Sequence, residues 1–301
     1  MKTLYKTYAQ HLAEHFEGKV QKITVNAGLG CPNRDGTVGE GGCTYCDNRS
    51  FSPDYCQPKL SVAEQLRRGR DFFAHKYPAM RYLAYFQSFT NTYAPLSKLQ
   101  RIYEEALSQD GIVGLVIATR PDCVNESLLN YLGQLARETY VMVEYGVESV
   151  CDATLQRINR GHNFACSRRA IGETAARGVH TGAHVIVGLP GEGRTEILHQ
   201  ADELSRLPIE TLKLHQLQII KGTRMEQEYQ RAPDDFLTFT PQSYAELVLD
   251  YLEHLREDIA VERFTNQSPP ELLATKGWGL KNHEFLHLLQ AVARQRYGIH
   301  P

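Results

Sequence analysis

Six short apolar runs recur along the chain with a helix-period stretch between successive ones, and this alternation constrains the fold more than any other feature. The runs are QKITVNAG (from Gln21), RYLAYFQSF (Arg81), GIVGLVIATR (Gly111), TYVMVEYGVES (Thr139), HTGAHVIVGLPG (His180) and TLKLHQLQII (Thr211). Their β-branched and aromatic content reads as buried strands. Between them, SVAEQLRRGRDFFAHKY, LSKLQRIYEEALSQ, NESLLNYLGQLARE, FACSRRAIGETAARG and TEILHQADELSRL read as amphipathic helices, several opened by Ser, Asn or Thr or closed by Gly. Crossovers of this length join parallel strands and place the helices outside the sheet. A doubly wound sheet and a barrel both satisfy the pattern, and six units rather than eight point to a partial barrel.

Polar and glycine-rich chemistry gathers at the C-terminal end of every predicted strand: a cysteine loop, then QSFTNTY, TRPD, GVES, GLPGE and KGT. In parallel α/β folds the ligand lies at that edge, so the loops are expected to converge on one site. With 301 residues, 42% of them hydrophobic, the chain can bury a full core. It has no eighteen-residue apolar run to span a membrane, and its first residues lack the pattern of a signal peptide, which gives an expectation of a cytoplasmic protein with no membrane partner. In that reducing compartment seven cysteines, an odd count, are expected as thiols or metal ligands. A formal charge of −2 neither supports nor excludes a nucleic-acid partner.

Three of those cysteines fall in CPNRDGTVGEGGCTYC, with Cys43 and Cys46 as a Cys-x-x-Cys pair and Cys31 separated from them by eleven residues. Gly36, Gly39, Gly41 and Gly42 let the intervening segment fold back. A zinc site would need a fourth ligand, for which Cys56 is the nearby candidate. A thioredoxin-like pair leaves Cys31 unexplained. Buried packing thiols fit poorly with a Gly-rich loop, and an iron–sulfur cluster with one iron open to another ligand is the remaining reading. Cys123, Cys151 and Cys166 are scattered and read as small packing residues.

The loop resembles the cluster-binding loop of radical S-adenosylmethionine (radical SAM) enzymes, with Tyr45 in the aromatic position before the last cysteine. The long first gap resembles the YhcC-type subfamily, related to the radical SAM domain of the Elongator catalytic subunit. TRPD (Thr119–Asp122), GVES (Gly146–Ser149), INRGH (Ile158–His162), HVIVGLPGE (His184–Glu192) and LKLHQLQIIKGT (Leu212–Thr223) match Elongator-like segments in order. The resemblance implies an α/β fold, a partial (β/α)6 TIM-like barrel with a C-terminal α/β extension. Its parts are a helical segment over 1–19, a radical SAM core over 20–225, and an extension over 226–301 that covers the open side of the barrel.

The resemblance further implies a 4Fe–4S cluster on Cys31, Cys43 and Cys46, with S-adenosylmethionine (SAM) on the fourth iron and an external electron donor of flavodoxin or ferredoxin type. Gln87, Thr90 and Asn91 correspond to the region that meets the amino group of SAM. Glu148 corresponds to a ribose contact, Arg160 to a carboxylate contact, His184 to a position facing the cofactor, and Gly188 to a close backbone approach at the adenine. Two departures limit the carry-over: Ala118 stands where a cofactor-holding glutamate is usual, and no acetyltransferase domain follows KGT in this sequence.

Lys213 and His215 alternate with apolar neighbours, a site signal if that face lies inside the barrel. Arg67, Arg68 and Arg70 read as a solvated helix face. In the tail, TPQSYAELVLDYLEHLRED reads as a helix, IAVERFTN as a further strand and NHEFLHLLQAVARQRYG as a last helix, while Trp278 fits either a stacking or an anchoring role. Kinship with the Elongator subunit implies transfer RNA, at a wobble uridine, as a substrate class. A small-molecule substrate is the rival, and a non-enzymatic zinc-binding regulator using Cys56 is the alternative of another class.

Overall fold

In the computed structural model of the chain, residues 4–50, 53, 55–74 and 80–298 are described; His75, Lys76 and Tyr77 of one predicted helix, and the outermost residues of the two terminal segments, lie outside them. Seven strands form one parallel sheet in chain order: β1 (Val20–Val25), β2 (Arg81–Phe86), β3 (Ile112–Thr119), β4 (Tyr140–Glu148), β5 (His180–Val187), β6 (Thr211–Gln216) and β7 (Ala260–Arg263). The first and last strands are not paired to each other, so the sheet curls into a half-barrel with an open edge. The six runs expected as strands all take their places, and the seventh strand, which the tail supplies, joins the same sheet beside β6.

Strand parity sorts the side chains. On β3, Leu115 and Ile117 face the outer core, while Val116 and Ala118 face inward. The crossover helices α2 (Val62–Ala74), α3 (Leu96–Leu107), α4 (Glu126–Leu135), α6 (Phe164–Ala175) and α7 (Arg194–Ser205) cover the outer face. Each buries a stripe at helical spacing, as α3 does with Leu99, Tyr103 and Ala106. The Asn125 and Asn163 side chains accept the backbone N–H groups of Leu128 and Cys166, fixing the starts of α4 and α6 where the sequence placed them. A short helix, α5 (Asp152–Arg157), precedes α6.

The interior is layered. At the N-terminal ends of the strands, helix α1 (Tyr8–His15) inserts Leu12 among Leu83, Val116 and Met142 and closes the barrel floor. Its leading residue Thr7 bridges Val261 of β7. Beyond β6, helix α8 (Arg224–Arg231) returns toward the cysteine loop, and α9 (Pro241–His254), capped by Thr240, serves as the last crossover before β7. Helix α10 (Asn282–Tyr297) packs on α9. The tail thus adds β7 to the half-barrel beside β6 and packs α9 against α7. Trp278 anchors this layer: its indole N–H donates to Phe239 O at 2.9 Å, and its ring lies 5.2 Å from Tyr244 and 6.1 Å from Phe285. Among the described residues no helix is long and apolar enough to cross a membrane.

Candidate active site

The eleven residues between Cys31 and Cys43 form a small hairpin. Asp35 and Glu40 pair across it, and Pro32 O accepts the N–H groups of Val38 (2.8 Å) and Gly39 (3.3 Å). Gly42 N–H then donates to Asn33 O at 2.7 Å, so the chain leaves Cys31 and returns beside it at Cys43. Gly39 has to be glycine here, because a Cβ would sit 2.4 Å from Asn33 Oδ1. The INRGH segment holds the loop from the far side: Thr44 N–H donates to Ile158 O (3.0 Å), and Asn33 Nδ2 donates to Asn159 O (2.6 Å). At the start of α8, Met225 N–H donates to Thr44 O (3.0 Å) and Arg224 donates to Gly42 O.

Cys31, Cys43 and Cys46 all line one cavity at the C-terminal mouth of the barrel. Two buried donors face Cys43 Sγ, Arg160 Nη1 and Asn33 Nδ2, each at 3.5 Å. Arg160 is buried; its Nη2 donates to Gly146 O at 2.5 Å and stands 3.7 Å from Glu148 Oε1, while its Nε has no protein partner. Burial opposes the charge on Arg160, yet Tyr45, Cys43 and Glu148 outweigh it and keep the guanidinium firmly protonated. Glu148 reaches this position through a left-handed backbone (φ 67°) at a register shift in β4. Burial, reinforced by Cys43, pushes the Cys46 thiol up to about 11.

Below the mouth lies a charged layer. Glu144 of β4 accepts from Lys22 Nζ of β1 (2.6 Å), Lys213 Nζ of β6 (2.6 Å) and His184 Nε2 of β5 (2.9 Å). Lys22 also meets Glu262 of β7 at 2.5 Å, so an ion pair spans the open edge where no backbone bonds join β1 to β7. Burial acts against ionisation of Glu144, but Lys213, Lys22 and His184 outweigh it and hold the carboxyl well below the usual range. For Lys213 burial wins over Glu144 and Glu262 and brings the ammonium down to about 8. Burial and Lys213 lower His184, which is therefore neutral at pH 7.

The cavity brings together most of the residues singled out in the sequence. Tyr45, Gln87, Thr90, Glu148, Arg160 and His184 line it, as do Lys213 and His215. Asn91 and Gly188 are not among its lining residues. Asn91 turns back into the sheet and donates to Phe86 O (3.0 Å) and Ala118 O (2.9 Å), holding the ends of β2 and β3 together. Gly188 has φ 90°, and a Cβ there would meet the Phe239 ring at 3.1 Å, so it gives room to the tail. Cys56 is buried away from the cavity, and Ala118 lines it. The sequence reading missed Asn33, Lys22, Glu144 and Glu262; Lys22 and Glu144 each interrupt an apolar run with a single charge, and Glu262 sits beside Arg263 in the short β7.

The donor set fits a polynuclear group. A tetrahedral zinc with Zn–S near 2.3 Å places its sulfurs about 3.8 Å apart. Among the described residues, the metal-type ligand groups that converge within 4.8 Å do not include these three cysteines. They surround a wider space, faced by a buried guanidinium with an unpaired N–H. A parallel half-barrel whose main cavity opens at the C-terminal ends of its strands defines a class, the TIM-like barrel enzymes.

Within that class the chain belongs to the radical SAM superfamily. The superfamily profile matches residues 25–204, and that of the radical SAM C-terminal domain matches residues 209–294. YtqA of Bacillus subtilis is 36% identical over 283 residues, covering 94% of this chain and 87% of that protein. YhcC of Escherichia coli is 41% identical over 231 residues, 76% of this chain and 74% of that one. Elongator complex protein 3 of Schizosaccharomyces pombe is 26% identical over 176 residues, 56% of this chain but 30% of that protein. Among solved structures, Elp3 of Methanocaldococcus infernus superposes with a TM-score of 0.70 at 14% identity, covering 95% of this chain and 65% of that one, a likeness of fold. Enzymes of this superfamily use a 4Fe–4S cluster and SAM.

Proposed function

We propose that Cys31, Cys43 and Cys46 hold the 4Fe–4S cluster, and that the protein cleaves SAM reductively to take a hydrogen atom from a substrate at the cavity mouth. The observation that carries this reading is the convergence of the three thiols with Arg160 in one cavity. When bound, the cluster and SAM supply a 5′-deoxyadenosyl radical, given one electron from a flavodoxin- or ferredoxin-type donor. The chain's own residues bind and orient. Arg160, whose Nη1 faces Cys43 and whose Nη2 is taken by Gly146 O, would offer its Nε–H to a carboxylate as a charge-assisted hydrogen bond. Glu148 receives the ribose hydroxyls, Gln87 and Thr90 accept from the amino group, and Tyr45 shields the cluster side. His184, whose Nε2–H is taken by Glu144, presents Nδ1 as an acceptor. Asn91 acts from behind, by tying the ends of β2 and β3 together.

The likeness to Elongator complex protein 3, and to a Methanocaldococcus infernus protein named tRNA uridine(34) acetyltransferase (27% identical over 139 residues, 25% of that protein), supports a uridine of transfer RNA as the substrate class. Acetyl transfer is not carried over from so partial a match. The setting is the reducing cytoplasm, which suits a chain whose seven cysteines are all free.

Anaerobic reconstitution tests the chemistry. The expected result is four irons per chain and 5′-deoxyadenosine formed on reduction with SAM, both abolished by joint Cys31→Ala, Cys43→Ala and Cys46→Ala substitution. Stoichiometric zinc without SAM cleavage would overturn it. Nucleoside profiles of transfer RNA from a deletion strain test the substrate: a lost or accumulated uridine derivative is expected, and an unchanged profile refutes that part.

A further inference from the structure

At the opposite end of the barrel from the cysteines, three imidazoles crowd together around a carboxylate. His15 closes α1, His180 opens β5, and Glu210 immediately precedes β6. One donor atom from each lies within 4.8 Å of the other two. The His15 and His180 rings are 4.5 Å apart, and His180 Nδ1 stands 2.9 and 3.0 Å from the two Glu210 oxygens. His11, one turn earlier on α1, has its ring 4.8 Å from His15, but its Nε2 is engaged by Tyr140 OH at 2.9 Å. The Tyr140 ring in turn stacks on His180 at 4.6 Å and fixes its plane.

We propose that His15, His180 and Glu210 form a binding site for a divalent ion of the zinc type, distinct from the cysteine centre, which staples α1 to the floor of the barrel. Two imidazoles and a carboxylate make a borderline donor set suited to Zn²⁺, with water completing four-coordination. Metal–nitrogen bonds of about 2.0–2.1 Å need donors roughly 3.4 Å apart. His15 is solvent-exposed on a helix end and can close the remaining distance by turning its side chain. The three ligands come from three elements far apart in sequence, so binding ties the N-terminal helix to β5 and β6. Helix α1 has only eight residues, too few to persist without tertiary support, and it plugs the floor through Leu12.

The test uses tag-free protein carrying its reconstituted cluster, incubated with Zn²⁺, desalted and assayed for zinc and iron separately. One zinc per chain beyond the cluster iron is expected, with a rise of several degrees in unfolding temperature. Both should be lost in His15→Ala and His180→Ala, with affinity reduced at least about tenfold in Glu210→Gln. The Cys31→Ala, Cys43→Ala, Cys46→Ala protein should retain the zinc. His15→Gln, at an exposed position, guards against misfolding and should leave zinc-free 5′-deoxyadenosine formation at the wild-type rate. Zinc that follows the cysteines overturns the proposal. So does zinc that survives His180→Ala, which would confine binding to the neighbouring His11, Glu14 and His15 on α1.

Discussion

Replacing Glu144 by Gln isolates the charged layer from the rest of the barrel. The substitution keeps the volume and removes the one carboxylate that meets Lys22, Lys213 and His184 together. Two buried ammonium groups would then share Glu262 alone, at 2.5 Å from Lys22 and 3.3 Å from Lys213. Breaking a buried ion pair by removing one partner costs about 3–5 kcal/mol. A second argument bounds the same number: a lysine can shed its proton at about 1.36 kcal/mol per pH unit below its ordinary value near 10.4, so neutralising one at pH 7 costs about 4–5 kcal/mol. Urea unfolding at pH 7 should therefore show a loss of about 3–5 kcal/mol, a large share of the 5–15 kcal/mol typical of a folded chain. Adding Lys213→Met to Glu144→Gln should restore much of that loss, since the unpaired charge disappears with it. A loss below about 1 kcal/mol, or strictly additive effects in the double variant, would refute the view that Glu144 is the charge on which this layer depends.

Other expectations follow from the same geometry. The Lys213 ammonium titrates at about 8 in the folded chain, below its ordinary value of about 10.4. The unfolded chain holds a proton that the folded one has released between those values, so this residue's contribution to stability rises with pH across that window and is flat below it. The difference in urea stability between wild type and Lys213→Met should show that slope, and a flat difference from pH 7 to 10 would contradict it. A Cβ on Gly146 would lie 2.6 Å from both Arg160 Nη2 and Glu148 Oε1; Gly146→Ala should raise the KM for SAM roughly 10–100-fold, the worth of a charged hydrogen bond, with the unfolding midpoint little changed, and an unaltered KM would show these side chains do not meet SAM. Trp278→Ala should cost about 2–4 kcal/mol by removing half-buried aromatic packing on Tyr244 and Phe285, while reconstituted enzyme still cleaves SAM; lost cleavage in a folded variant would assign Trp278 to the site.

The alternation of strands and helices was legible because each strand of a doubly covered parallel sheet is a nearly continuous apolar run. Strand β7 is harder to see: it has four residues, two of them charged, and joins the sheet through a register shift. The gathering of Cys31, Cys43 and Cys46 at one cavity was legible from spacing, and the fold-back of the gap from its glycines. Partners on the inner face were not, since Lys22 finds Glu144 across 122 residues and Glu262 across 240. A signal existed all the same. Lys22, Glu144 and Lys213 are single charges inside apolar strands, and a charge on the inward face of a barrel strand must meet others there. Asn91 and Gly188 show the opposite limit: a motif locates a strand end, but the direction of one side chain within it depends on which neighbour has a free carbonyl or needs room.

The charged layer and the cavity at the mouth form one arrangement, joined by His184. Its Nε2 lies 2.9 Å from a carboxylate held ionised by two lysines, so the proton sits on Nε2 and Nδ1 is left as an acceptor. The ring is further restrained by near-parallel stacking on His215 at 5.8 Å. Because Glu144 meets both Lys213 and His184 through the same oxygen, a change in either partner alters the field at the other. The apolar floor that Leu12 of α1 forms with Leu83, Val116 and Met142 underlies this layer. A loosened α1 would therefore act on the mouth from the far end of the barrel, through the charges that orient His184 rather than by touching the residues that line the cavity.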